Sequence, residues 1–133
     1  MNVVLFHRGP SLPDHIKCCI NQIFNIIPDA KIYFLTNLNI AKTNNKNITI
    51  VNIEEFNVPD ISNYFAHDIP EHVQLWQTAA LRLFYIEEFL QKYNINDAIH
   101  FDNDVLVFSN LKKLLPKFKK FNFLITPHFE TEY

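Results

Sequence analysis

Apolar and polar positions change period several times along the chain, and each change marks an element. Val3 to His7 form a β-branched and aromatic run closed by Arg8-Gly9-Pro10, the pattern of a strand buried on both faces. From Ser11 the period lengthens: Ile16, Cys19, Ile20, Ile23 and Ile27 recur at helical spacing and make one apolar face. Ser11 is placed to cap this helix, Pro13 suits its first turn, and Asp14 follows Ser11 by three residues, as in a capping box. Pro28 ends it. Residues 31–37 (KIYFLTN) read as a second strand, the Asn-rich stretch to Asn47 as a solvated loop, and 48–52 (ITIVN) as a third strand. Residues 53–72 carry no clear period; they are broken by Pro59 and Pro70 and contain His67, Asp68 and His72. A long helix is predicted from about Val73 to Tyr93, with Leu75, Ala79, Leu83, Ile86 and Leu90 on one side. Residues 97–101 (DAIHF) read as a fourth strand, 110–118 as a short helical turn, and 121–126 (FNFLIT) as a fifth strand.

Strands that alternate with helices, and that are apolar throughout, imply an α/β fold with a mostly parallel, Rossmann-like sheet flanked by helices. Such sheets take ligands outside the carboxyl ends of their strands, where strand order reverses. Arg8 lies just past strand one and Asp102 just past strand four, so both are expected to line one crevice.

Composition narrows the choice. A chain of 133 residues, 48% hydrophobic and 20% charged, suits one domain, 1–133, with one core. The net charge of −2 and the absence of any basic block beyond Lys112-Lys113 and Lys119-Lys120 argue against nucleic acid as a partner. A single glycine excludes GxGxxG and the phosphate-binding P-loop, both of which need glycines for close backbone approach. Cys18 and Cys19 are adjacent, without zinc spacing, and fit reduced thiols in a cytoplasmic protein. No stretch has the length and apolarity of a transmembrane segment, and the N-terminus lacks the charge order of a signal peptide.

The chemistry concentrates in IHFDNDVLVF, residues 99–108, where Asp102 and Asp104 interrupt an apolar run. Unpaired carboxylates are costly to bury, and two so close repel unless a positive charge sits between them. Oxygen donors at a cleft mouth suit Mg²⁺ or Mn²⁺, and Mg²⁺ takes only one or two carboxylates while water and phosphate complete its shell. The pair therefore reads as half of a cation site whose other half is a diphosphate. The alternative is a turn over Asp102 and Asn103 that leaves Asp104 in solvent. Arg82 is either a bidentate phosphate clamp or the partner of Glu87, Asp97 or another nearby acid. His100 reads as a packed core histidine and not a ligand, and His128 as a residue outside the site, with a swing toward the metal as the alternative.

The segment from Ala80 to Leu111, ALRLFYIEEFLQKYNINDAIHFDNDVLVFSNL, resembles the nucleotide-sugar-binding part of DXD-containing glycosyltransferases of the GT-A fold: an arginine-bearing helix, an apolar strand, then Asp-x-Asp-hydrophobic. Residues 3–37 are similar to the first βαβ unit of that family. The resemblance implies that Asp102 reaches ribose and metal, that Asp104 ligates the metal, and that Arg82 faces the diphosphate-sugar. It implies too that His7, Arg8 and Asn103 lie against the nucleotide. Mn²⁺ or Mg²⁺ is the implied cofactor and a UDP-sugar the implied donor, with the acceptor and the catalytic base unassigned. Two departures stand out. Ala79 occupies a position where related families carry a sugar-contacting Asp, and a full GT-A domain is longer, with its acceptor half expected beyond Tyr133. A truncated, non-catalytic nucleotide-sugar-binding module acting by association is the alternative. Phe118, Phe121, Phe123 and Phe129, with an uncovered fifth strand, point to a homo-oligomer or a missing partner chain. A haloacid dehalogenase-type phosphatase also has Asp-x-Asp after a strand, yet Leu106 stands where that family wants a small residue.

Overall fold

The computed structural model describes residues 1–41, 43–61, 71–118 and 121, and within these the side chains of all but 71–76 and 118. Four parallel strands lie in the order β3-β2-β1-β4: β1 (Asn2–His7), β2 (Lys31–Thr36), β3 (Ile48–Asn52) and β4 (Ile99–His100). Helix α1 (Asp14–Ile26) joins β1 to β2, and α2 (Glu71–Lys92) precedes β4. A 3-10 turn (Leu111–Lys113) and a one-turn helix, α3 (Leu115–Phe118), follow. The order reverses at β1, which pairs with β2 on one side and β4 on the other. This is the expected α/β, Rossmann-like architecture.

Alternation along the strands divides the core in two, because successive side chains point to opposite faces. Val3, Leu5, Ile32 and Phe34 pack with Ile16, Cys19 and Ile23 of α1. Val4, Phe6, Leu35 and Val51 pack with Tyr85, Ile86 and Phe89 of α2. Tyr33, early in β2, meets Phe89, and Phe6, late in β1, stacks on Tyr85. Helix α2 therefore runs against the strands, and its earlier turns rise toward their carboxyl ends. Asn94, at φ 51°, ends that helix, while the Ile95 amide reaches back to the Leu90 carbonyl. Asn tolerates this left-handed stop without a glycine.

Three expectations need correction, and a fourth lies almost wholly outside the described residues. Pro13, not Ser11, occupies the N-cap of α1, with no side-chain cap, and the Ser11 carbonyl is engaged by the His7 ring instead. The proline's fixed backbone moves the N-cap two residues beyond Ser11, so the helix begins at Asp14. The buried stripe of α2 runs through Tyr85, Ile86 and Phe89, whereas Leu83 is 51% exposed. Aromatic bulk at 85 and 89 outcompetes leucine for the sheet, which rotates the helix from the face that Leu83 would give. Strand β4 is two residues long, not five, because the chain leaves the sheet at Phe101 to form the acidic turn. Of the expected fifth strand only Phe121 is described; it is exposed and in no strand, and 122–126 lie outside the described residues.

Candidate functional site

The carboxyl ends of β1 and β4 converge on a turn from Asp102 to Val105, closed by a 3.1 Å bond from the Val105 amide to the Asp102 carbonyl. Each residue of the motif goes to a different neighbour. Asn103 is pinned between β1 and α1: its amide donates to the Phe6 carbonyl at 2.8 Å, and its oxygen lies 3.1 Å from His15 Nε2. Asp102 turns to the α2 side, where its carboxylate pairs with the Arg82 guanidinium. Arg82 is one helical turn before Tyr85 and Ile86, so the buried stripe of α2 delivers it to the strand ends. Asp104 is exposed, and its negative charge bears on Cys19 in α1. Burial first, and that charge second, push the Cys19 thiol up to about 11.

The chain beyond the turn is held to α1 as well. Gln22 donates to the Val107 carbonyl at 3.0 Å, and Val107 enters the α1-side core. Its neighbours Val105 and Leu106 are exposed and Phe108 is 77% exposed. Lys112 pairs with Asp29, and this bond holds the Asp29 carboxyl below its ordinary range.

His100, two residues before the turn, donates from Nδ1 to the Val4 carbonyl at 3.0 Å. Desolvation lowers its pKa, the Val4 bond opposes that, and the Arg82 and Asp102 charges act in opposite directions. It is half-buried at the sheet edge and hydrogen-bonded to β1, outside both core clusters.

At the end of β1, His7 Nε2 is 2.8 Å from the Ser11 carbonyl, which folds the 8–13 loop over the strand end. The Gly9 amide donates to Asn37 Oδ1 at 3.0 Å, tying this loop to the end of β2. Arg8 is exposed and lines a concavity of about 240 Å³ with Val58, Asp60, Ile61, Gln77, Leu81 and Tyr85, among others. The structure thus brings Arg82 and Asp102 together on the α2 side, with Asn103 and Asp104 following on the same turn and Asp104 bearing on α1, while Arg8 stands on the α2 side against a separate hollow. Of the two alternatives for Arg82, the ion pair is the one present, with Asp102 itself and not Glu87 or Asp97. His15 was not singled out by sequence; its helical position one residue after Asp14 is the only signal that aims it at the strand ends.

Among the described residues, no three His, Cys, Asp or Glu side chains form a group able to hold a metal ion. His67, Asp68 and His128 lie outside the described residues, as does the side chain of His72. Among the described helices none is long and apolar enough to cross a membrane. No protein family, curated protein or solved structure matches the chain.

Proposed function

We propose that this turn holds Mn²⁺ or Mg²⁺ together with the diphosphate of a nucleotide sugar, a UDP-sugar foremost, and that the chain belongs to a metal-dependent glycosyl transfer. The supporting observation is the Arg82–Asp102 pair on a turn that also carries the exposed Asp104, at the carboxyl ends of two parallel strands where their order reverses. The donors are chemically suited: both are carboxylates, and Mg²⁺ needs only one or two when phosphate and water supply the rest. Asp104 is the carboxylate free to ligate directly. Asp102 joins it once Arg82 transfers its guanidinium from carboxylate to phosphate, an exchange favoured because phosphate accepts two parallel bonds from the planar fork. Asn103, fixed from both sides, keeps the two carboxylates on one rigid turn. A bound cation supplies Lewis-acid stabilisation of charge on the leaving diphosphate. His7 shapes the loop after β1, and Arg8 adds positive charge at the end of that strand, over the neighbouring hollow.

Titration calorimetry with UDP and Mn²⁺ tests this reading. The wild type is expected to bind only when both are present, and Asp104→Ala to weaken binding by about ten-fold or more, the loss of one charged ligand. Absence of binding by the wild type, or equal binding by Asp104→Ala, refutes it.

A second reading, a nucleotide-sugar-binding module that works by association and not by transfer, is favoured by one observation. Val105, Leu106 and Phe108 present apolar surface directly after the turn, and Leu83 and Phe84 do so on α2. Surfaces of this kind are covered in assemblies. Sedimentation of a concentration-dependent dimer or larger species supports it; sugar transfer by the isolated chain rejects the non-catalytic part.

A further inference from the structure

Arg82 and His100 each keep one buried nitrogen without a hydrogen-bond partner, the guanidinium Nε and the ring Nε2. Such orphaned atoms are uncommon in folded proteins, because each has given up its bond to water. These two are complementary. His100 is in register with Val4, whose side chain belongs to the α2-side core, so the ring lies on the face that α2 covers. A carbonyl can only accept, so the 3.0 Å bond to Val4 requires the hydrogen on Nδ1. A neutral imidazole carries one hydrogen, which leaves Nε2 a bare acceptor. The Arg82 Nε–H can only donate. The charges that bear on the ring are Arg82 from α2 and Asp102 from the turn, while β1 contributes Val4 and Phe6 to this face.

We propose that His100 Nε2 is a second docking point for the Arg82 guanidinium. With Asp102 unligated, a terminal nitrogen of Arg82 is held by that carboxylate. When Asp102 is engaged elsewhere, the Nε–H of Arg82 settles on His100 Nε2, and both terminal nitrogens turn outward in the orientation that grips an anion. His100 is thus a positioning residue that acts through Arg82. The identity of the anion rests on the donor-site reading above; the docking point itself does not. Lysine at position 82 would not substitute, since it has no Nε–H set back from its charged end.

Nitrogen-15 NMR of the whole chain tests this without a ligand. In the wild type the His100 ring is expected as the Nδ1–H tautomer. Asp102→Ala frees Arg82 as ligation of the carboxylate would. In that variant the His100 Nε2 resonance is expected to shift in the direction of a hydrogen-bonded acceptor. The Arg82 Nε–H should then exchange with solvent about ten-fold more slowly than in Asp102→Ala/His100→Leu, the effect of one hydrogen bond to a charged group. His100→Gln, whose Oε1 reaches the place of Nε2, should restore slow exchange in the double variant. An Nε2–H tautomer in the wild type overturns the proposal, and that measurement needs no substitution. Equal exchange in the Asp102→Ala and Asp102→Ala/His100→Leu chains, or glutamine behaving like leucine, overturns it too. Failure of Mg²⁺-UDP to bind the wild type would remove the donor-site reading alone, with these spectra still deciding the docking point.

Discussion

On the α1 side of the sheet the core is mostly aliphatic, with Phe34 as its one buried ring, and it ends at the strand tips in neutral bonds from Asn103 to Phe6 and His15. On the α2 side the core is aromatic, with Phe6, Tyr33, Phe56, Tyr85, Phe89 and Tyr93 in ring contacts, and it ends in the charged pair of Arg82 and Asp102. The acidic turn straddles both. One side fixes where the turn is; the other decides what its charges meet. A neutral anchor does not respond to an incoming cation, whereas an ion pair exposed to solvent, with Asp102 49% accessible, exchanges partners at small cost.

That contrast is most easily broken through packing. Phe89 is fully buried and touches the rings of Tyr33, Phe56 and Tyr93, so Phe89→Ala is expected to lose about 3–5 kcal/mol in denaturant unfolding. A loss below about 1 kcal/mol would mean that the aromatic side does not carry the α2 packing. Asn103→Ala strips the anchor from the turn and leaves the Phe6 carbonyl without its 2.8 Å donor. Stability should fall by about 1–3 kcal/mol, and NMR should show altered environments at His15 as well as at Phe6. No change at His15 would contradict the bridge between β1 and α1.

The thiols sharpen the comparison further. Cys18 is exposed, whereas Cys19 is buried with its pKa raised to about 11. A raised thiol pKa means less thiolate at any pH below it, so at pH 9 Cys18 should alkylate at least about ten-fold faster than Cys19. Asp104→Asn removes the charge that, after burial, disfavours the Cys19 thiolate, so it should speed Cys19 alkylation modestly; a slower reaction would contradict the placing of Asp104 near α1. Smallest of all, Lys112→Ala breaks a largely exposed pair with Asp29 and should change stability by less than about 1 kcal/mol. A larger loss would show that the segment after the turn depends on charge and not on Val107 and the Gln22 bond.

Much of this was legible in the residues. The periods of residues 3–7, 16–27, 31–37 and 48–52 gave their strands and helix, because each element buries one face or both and the spacing of apolar residues records that. The start of α1 departs from its local pattern because Ser11 and Asp14 match a capping pair in sequence, while Pro13 and the His7–Ser11 bond decide the geometry. The buried face of α2 is not encoded locally, because its apolar residues, Leu81, Leu83, Phe84, Tyr85, Ile86, Phe89 and Leu90, nearly encircle it; only tertiary packing selects among them. At the turn, the sequence marked Asp102, Asp104 and Arg82, but not that Arg82 would hold Asp102 or that His15 would support Asn103. Those are long-range contacts, 20 and 88 residues apart, and no local pattern encodes them.

The most direct test of the cation–diphosphate turn is paramagnetic broadening by Mn²⁺ with UDP in the amide spectrum of the whole chain. The account predicts selective loss of signal from Asp102 to Val105 and at Arg8, with Lys31 and Ile48, at the opposite ends of their strands, unaffected. Broadening centred elsewhere, or broadening at the turn that persists undiminished in Asp104→Ala, would contradict it.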